Sequence, residues 1–153
     1  MSPEQLFGAD QQVVVAPVGE SMRPMLRVGR DTVALSKIAG PLKPGDVALY
    51  ERPNGALVLH RVMAVRPEGY AFLGDAQPMA ALETGVTEAR LLGVMVGFFR
   101  GSKYHGARDP LYRVYCRLCL SGRGGRRVLR GVWKGYLAVK RALGAFKKNR
   151  GAN

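Results

Sequence analysis

Short runs of β-branched and aromatic residues, bounded by Gly, Pro and Asn, follow one another through residues 1–100. Val47 to Glu51 and Ala56 to Val65 flank Arg52-Pro53-Asn54-Gly55, a sequence typical of a hairpin turn. Because side chains alternate between the two faces of a strand, His60 and Arg61 are predicted to point to opposite faces. The pattern therefore predicts an antiparallel pair of strands with His60 near the middle of the second strand.

Four further runs have the length and composition of strands, and turn-forming residues separate them. They are Gln12 to Val18, Asp31 to Ser36, Tyr70 to Leu73 and Leu91 to Phe99. Short strands joined by tight turns predict a mainly β domain with an antiparallel, partly closed sheet.

The pattern changes to helical spacing in the last third of the chain. Asp109-Pro110 favours a helix start, with Asp as the N-cap and Pro at the first helical position. Leu111, Val114, Tyr115 and Leu118 follow at helical spacing, and Ser121 to Gly125 interrupts the pattern. A second helix is then predicted, and its apolar stripe consists of Leu129, Val132, Trp133, Tyr136, Val139, Leu143 and Phe146.

Charge divides the chain at the same place. Residues 1–100 contain equal numbers of basic and acidic side chains, whereas residues 101–153 contain a single acid, Asp109, and carry the whole net charge of +13. We therefore predict a neutral domain over residues 1–100 and a basic amphipathic helical tail over residues 101–153. Such a tail implies an anionic partner, either lipid headgroups or nucleic acid.

The sequence contains no segment that predicts a membrane span or a secretory signal. Its longest apolar run, Leu91 to Phe99, is far shorter than the ~20 residues that a spanning helix needs. Met1 to Asp10 lacks a basic region followed by an apolar one. We therefore expect a cytoplasmic protein that is peripheral at the membrane.

Two cysteines are too few for a disulfide framework. Cys116 and Cys119 form a C-x-x-C pair, and His105 adds a third candidate ligand, but a structural zinc site needs four. We therefore expect the thiols to pack on one helix face, and we predict neither a metal nor another cofactor.

A serine lies where the first predicted strand ends. Ser21 follows Gly19-Glu20 and precedes Met22-Arg23-Pro24. A hydroxyl at a strand end is exposed and lies near free backbone N–H groups, as a serine nucleophile requires. The simpler interpretation is that Ser21 is only a turn residue beside Gly and Pro.

Two other side chains are candidates for the base and its supporting acid. His60 is one of only two histidines, and an imidazole titrates near neutral pH. Asp75 ends the strand that is predicted to pair with the His60 strand, so it is a candidate to orient the ring. The alternatives are a half-buried structural histidine and an ordinary turn aspartate.

Five short motifs across residues 13–97 resemble, in their order, the boxes of signal peptidase I and the LexA-like serine peptidases. They are Ser21-Met22-x-Pro24 followed by Leu26, Val28-Gly29-Arg30-Asp31-x-Val33, Lys43-Pro44-Gly45-Asp46-Val47, His60-Arg61-Val62 and Gly74-Asp75-Ala76. In the fourth motif His60 occupies the position where bacterial signal peptidases carry Lys and the endoplasmic-reticulum-type enzymes carry His.

The resemblance implies a signal-peptidase-like β domain with serine endopeptidase activity, which cleaves a peptide or a leader or signal-type segment. It assigns the nucleophile to Ser21, the general base to His60 and the supporting acid to Asp75. Residues around the nucleophile, namely Gly19, Glu20, Met22 and Pro24, are the expected substrate contacts.

Two other functions are open. One is a LexA-type autoproteolytic regulator with a nucleic-acid-binding segment, and the other is a non-catalytic binding module that uses the basic tail. For residues 109–150 the aromatic-rich stripe favours an anionic membrane surface over nucleic acid. The alternative is that the stripe packs on the domain. The sequence does not determine the oligomeric state.

Overall fold

A computed structural model describes residues 1–122, 124–129, 131–132, 134–135 and 138 of the chain. Two short helices and eight strands make up most of the described part, together with 3-10 turns at Met79–Ala81 and Glu88–Arg90. The helices are α1 (Pro3–Phe7) and α2 (Pro110–Leu120). The strands are β1 (Gln12–Val15), β2 (Asp31–Ser36), β3 (Val47–Glu51), β4 (Leu57–Arg66), β5 (Gly69–Leu73), β6 (Glu83–Val86), β7 (Leu91–Arg100) and β8 (Lys103–Gly106).

The strands form one antiparallel sheet in the order β1-β2-β7-β3-β4-β5-β6, and β8 pairs with the end of β7. The predicted mainly β, antiparallel fold is thus confirmed. The sheet is not closed, because β1 and β6 lie at its two ends and do not pair with each other in the described part of the chain. The predicted partial closure is therefore not found.

Hydrophobic alternation located most of the strands, and it missed two. β6 has the sequence Glu-Thr-Gly-Val and β8 the sequence Lys-Tyr-His-Gly, so neither contains an apolar run long enough to predict a strand. Each forms by pairing with a longer neighbouring strand. β6 pairs with β5, and β8 pairs with β7 in a hairpin that turns at Gly101. The sheet thus continues past residue 100, where the tail was predicted to begin.

Two apolar clusters form the core. One contains Phe7 of α1 together with residues of β2, β3 and β7, and Tyr112 and Tyr115 of α2 pack against it. The other cluster consists of Leu42, Ala48, Tyr50, Val62, Tyr70, Phe72, Val86 and Leu91. Because α2 contributes side chains to the first cluster, this helix is part of the folded domain.

The α2 helix is attached to the sheet by a fully buried arginine. Arg61 forms two hydrogen bonds with the carboxylate of Asp75, at 2.9 and 2.8 Å, and a third with the carbonyl of Gly45 at 2.7 Å. Tyr115 of α2 donates to the same carboxylate at 2.9 Å. Burial alone would lower the pKa of Arg61, but the Asp75 carboxylate outweighs it and raises that pKa.

The cysteines lie on the inward face of α2. Cys116 Sγ is 3.0 Å from Arg61 Nη1, and Cys119 is completely buried. Burial, and then the nearby Asp75 carboxylate, raise the pKa of Cys119 to about 12. Both thiols are free, and the surroundings of Cys119 disfavour its thiolate.

Helical structure resumes after α2. Asp109 is the N-cap of α2 and Pro110 its first residue, as predicted, and residues 124–129 are helical again after the interruption at Ser121. Most of the predicted stripe of the second helix lies outside the described residues, namely Trp133, Tyr136, Val139, Leu143 and Phe146. In the described part of the chain no helix is long and apolar enough to cross a membrane.

Candidate active site

A cavity of about 440 Å³ brings Ser21 and His60 together. Its walls come from the segment that follows β1, from the start of β4 and from α1. Apolar side chains form most of its lining, for example Leu6, Leu26 and Leu59, and Gln77 is one of the polar residues that line it. Such a concave, mainly apolar site with a few polar groups is typical of substrate binding.

The backbone of Ser21 is fixed by the loop that follows β5. The N–H of Ala76 donates to the Ser21 carbonyl at 2.7 Å. A Cβ at Gly74 would lie 2.7 Å from that carbonyl oxygen and 2.9 Å from the Ser21 Cβ, so only glycine allows this approach. The Gly74 N–H donates to Gln77 Oε1 at 3.0 Å, which holds the loop in a tight turn.

The imidazole of His60 is buried, with 2 % of the residue exposed. Its Nδ1 lies 3.4 Å from Glu83 Oε1 and 3.3 Å from the hydroxyl of Tyr50. An ionised carboxylate this close favours the tautomer with the proton on Nδ1, in which Nε2 is the basic nitrogen. Nε2 makes no hydrogen bond with any residue that the structure describes.

A bidentate ion pair holds Glu83 in place. Arg52 donates to the two Glu83 carboxylate oxygens at 2.8 and 2.5 Å. These hydrogen bonds lower the pKa of Glu83, so its carboxylate is ionised at neutral pH. Arg52 itself lines the cavity, and Glu83 thus connects the imidazole to the cavity wall.

Burial sets the protonation state of His60. It lowers the pKa of the imidazole below the ordinary value of 6.5, and the Glu83 carboxylate opposes only part of that shift. The ring is therefore neutral at neutral pH, which is the state that a general base requires.

Sequence reasoning missed Glu83. It lies in the segment between Asp75 and Leu91, for which the pattern predicted no element. The available signal was weak, since one acid in a four-residue strand resembles a solvated turn residue. Only the pairing of β6 with β5 brings Glu83 beside the histidine strand.

Asp75 lies at the predicted end of the hairpin, but its carboxylate faces other partners. It accepts hydrogen bonds from Arg61 and Tyr115, and the described residues include no hydrogen bond between Asp75 and His60. The physical reason is alternation along β4: Arg61 and His60 point to opposite faces, and Asp75 lies on the Arg61 side. Glu83 is the acid that lies beside the His60 imidazole, where Asp75 was expected from the sequence.

The predicted substrate contacts separate into two groups. Gly19 and Met22 line the cavity together with Ser21. Glu20 forms an exposed ion pair with Arg23 at 2.6 Å, and Pro24 lines a different surface depression beside Phe98. The cavity therefore supports Gly19 and Met22 as substrate contacts and gives no such support to Glu20 or Pro24.

Ser21 and His60 share the cavity without a hydrogen bond between them. Among the described residues no hydrogen bond involves Ser21 Oγ or the Ser21 N–H, so both are available to a bound carbonyl group. Catalytic hydrogen bonds are often long or absent in a ligand-free site and form when substrate binds.

No protein-family model, characterised protein sequence or solved structure matches this chain.

Proposed function

We propose that the protein is a serine endopeptidase, similar to signal peptidase I, that cleaves a peptide or a leader-type segment with Ser21 as nucleophile and His60 as general base. The observation that carries the proposal is the shared cavity of Ser21 and His60, together with the Glu83 carboxylate that lies 3.4 Å from His60 Nδ1. Glu83 replaces Asp75 as the acid that orients the ring.

The chemistry follows from the free groups of the site. His60 Nε2 removes the Ser21 hydroxyl proton while Oγ attacks the scissile carbonyl carbon. The Ser21 N–H donates to the resulting oxyanion, and the imidazolium returns its proton to the leaving amine. The same imidazole then deprotonates a water molecule that attacks the acyl carbon, and it returns the proton to Ser21 Oγ as the ester bond breaks.

Glu83 stabilises the imidazolium that forms during both steps. An ionised carboxylate beside Nδ1 also keeps the proton on that nitrogen, so that Nε2 is free to act as the base. Arg52 fixes that carboxylate at the start of the reaction, which makes the arrangement independent of substrate binding.

The decisive experiment is covalent labelling with a fluorophosphonate, which reacts only with an activated serine, followed by peptide mapping. We expect a single adduct on Ser21, and no adduct in Ser21→Ala or His60→Ala. Ser102→Ala is the matched control, because Ser102 lies in an exposed turn. If wild-type protein stays unlabelled while it is folded, the non-catalytic binding module is the better description.

We also propose that the C-terminal helices hold the enzyme at an anionic membrane surface. Leu111 is 86 % exposed and Val132 is 68 % exposed, and Val114 and Val128 are also largely exposed. The inward face of α2 is occupied by its tyrosines, so these apolar side chains are available to another surface. Exposed apolar residues among Lys and Arg suit the lipid–water interface.

A further inference from the structure

Arg126 is a buried cation on the helix that follows α2. Only 4 % of the residue is exposed. One terminal nitrogen donates to the carbonyl of Gly74, and the other lies 3.6 Å from the sulfur of Met63. Its partners are therefore neutral groups, one of which belongs to the loop that holds Ser21.

The protein provides no side-chain carboxylate for this charge. No ion pair within the described residues includes Arg126. The remaining residues of the chain contain no Asp or Glu, because Asp109 is the only acid after residue 100. A buried guanidinium without a counter-charge is unfavourable, and such a group is stabilised by an anion that binds beside it.

An open groove of about 750 Å³ lies beside Arg126. Arg127 and Lys134 form part of its basic wall, and its opposite side is the segment from Gln77 to Ala80. Neither Arg127 nor Lys134 has an ion-pair partner among the described residues. Three cations thus face a groove, and none of the described residues that line it is an acid.

The groove adjoins the candidate active site. Gln77 lines both the groove and the cavity of Ser21, and its side chain accepts from the Gly74 N–H. A peptide that leaves the cavity past Gln77 therefore enters the basic groove. A peptide is favoured over a lipid headgroup at this position, because the groove adjoins the cavity in which the peptide is cleaved.

We propose that the groove is a substrate subsite for acidic side chains, which places Asp or Glu in the peptide within a few residues of the bond that Ser21 cleaves. This inference rests on the proposed peptidase function. The carboxylate of the substrate supplies the counter-charge of Arg126 and contacts Arg127 and Lys134. The enzyme then selects peptides by charge on one side of the scissile bond.

Binding is measured first, on full-length Ser21→Ala protein, so that no cleavage is needed. Hexaglutamate is the probe and hexaglutamine its neutral control, with amide NMR shifts as the readout. We expect hexaglutamate to shift Gln77 and Gly131, both in the groove, and hexaglutamine to leave them unchanged. The double variant Arg127→Glu/Lys134→Glu should abolish these shifts, whereas Arg108→Glu, an exposed charge outside the groove, should retain them.

Specificity is measured next, with wild-type protein and a chymotryptic digest of a proteome as the peptide library. We expect acidic residues to be enriched on one side of the Ser21-dependent cleavage sites. Replacing that acid by its amide should lower kcat/KM about tenfold, as for the loss of a charge-assisted hydrogen bond. The Arg127→Glu/Lys134→Glu variant should lose the enrichment.

The outcomes separate the two proposals. If hexaglutamate shifts the groove amides but the protein cleaves no peptide of the library, the groove binds anions, and both the peptidase proposal and the subsite proposal are overturned. Cleavage without acidic enrichment would overturn the subsite alone. The subsite is also overturned if hexaglutamate leaves the Gln77 and Gly131 signals unchanged. The same holds if these amides shift only when phosphatidylglycerol vesicles are added.

Discussion

Glu83 Oε1 lies 3.4 Å from His60 Nδ1, while the same carboxylate is held by two hydrogen bonds from Arg52. The pair joins the edge strand β6 to the middle of β4, across β5. An acid that is fixed before substrate binds can orient the imidazole without rearranging, and this arrangement makes Glu83 the residue whose replacement is most informative.

Replacing Glu83 by Gln should lower kcat by about a hundredfold or more, because the amide neither stabilises the imidazolium nor fixes the tautomer of His60. The substitution is nearly isosteric, so KM should change little. Steady-state peptide hydrolysis measures both constants. Glu68→Gln, an exposed acid paired with Arg66, is the matched control and should behave as wild type. Equal kcat values for the two variants would exclude Glu83 from the mechanism.

The pH dependence of kcat/KM should show an acid limb with a midpoint below 6.5. Burial favours the neutral imidazole and lowers the pKa of His60, so the base remains free to lower pH than an exposed histidine would. Activity should therefore be constant near pH 7 and fall as pH drops through the lowered pKa. Glu83 raises the pKa of His60, so Glu83→Gln should move the midpoint lower still. A midpoint above 7, or no acid limb, would contradict a buried His60 base.

Replacing Asp75 by Asn should reduce stability more than chemistry. The carboxylate of Asp75 is the counter-charge of the buried Arg61 and the acceptor of Tyr115. Breaking a buried ion pair on one side typically costs about 3–5 kcal/mol, because it leaves a charge without a partner. Urea denaturation should show this loss, whereas kcat of the folded fraction should stay within about tenfold of wild type. A stable variant with kcat lowered a thousandfold would instead restore Asp75 to the catalytic group.

The sequence could predict what depends on local pattern. The strands from β2 to β5 and β7 were located to within a residue or two, because each is a hydrophobic run closed by a turn. Ser21 and His60 line one cavity, and their catalytic roles stay a prediction. Alternation along β4 also predicted the face on which each side chain lies, and it placed His60 and Arg61 on opposite faces.

What the sequence could not predict depends on pairing between distant segments. Glu83 reaches His60 only because β6 joins the sheet beyond β5, and four residues with one apolar side chain give no signal for that strand. Similarly, the spacing of Tyr115 predicted only that it lies on the apolar face of an amphipathic helix. In the structure Tyr115 donates a hydrogen bond to Asp75, the partner of Arg61, and lies on the inward face of α2. The apolar residues of α2 are therefore divided between the core and the exposed surface.

The apolar residues that point outward from the helices are the ones that can contact a membrane. The outward residues Leu111 and Val132 should contact lipid, and the many Lys and Arg residues after residue 100 add about 1 kcal/mol each near an anionic surface. We therefore expect the protein to sediment with phosphatidylglycerol-rich vesicles at low salt, to remain in solution with phosphatidylcholine vesicles, and to dissociate as salt rises.

The apolar contribution is isolated by changing side chains without changing charge. Leu111→Ser/Val132→Ser removes two outward residues and should weaken vesicle binding about a hundredfold or more, since each buried apolar side chain contributes about 1.5–3 kcal/mol. Val65→Ser is the control, because Val65 is half exposed and lies on β4, outside the helices. If both variants bind as tightly as wild type, charge alone holds the protein to the vesicle. If wild-type protein stays in the supernatant with anionic vesicles at low salt, the exposed helices do not form a membrane surface.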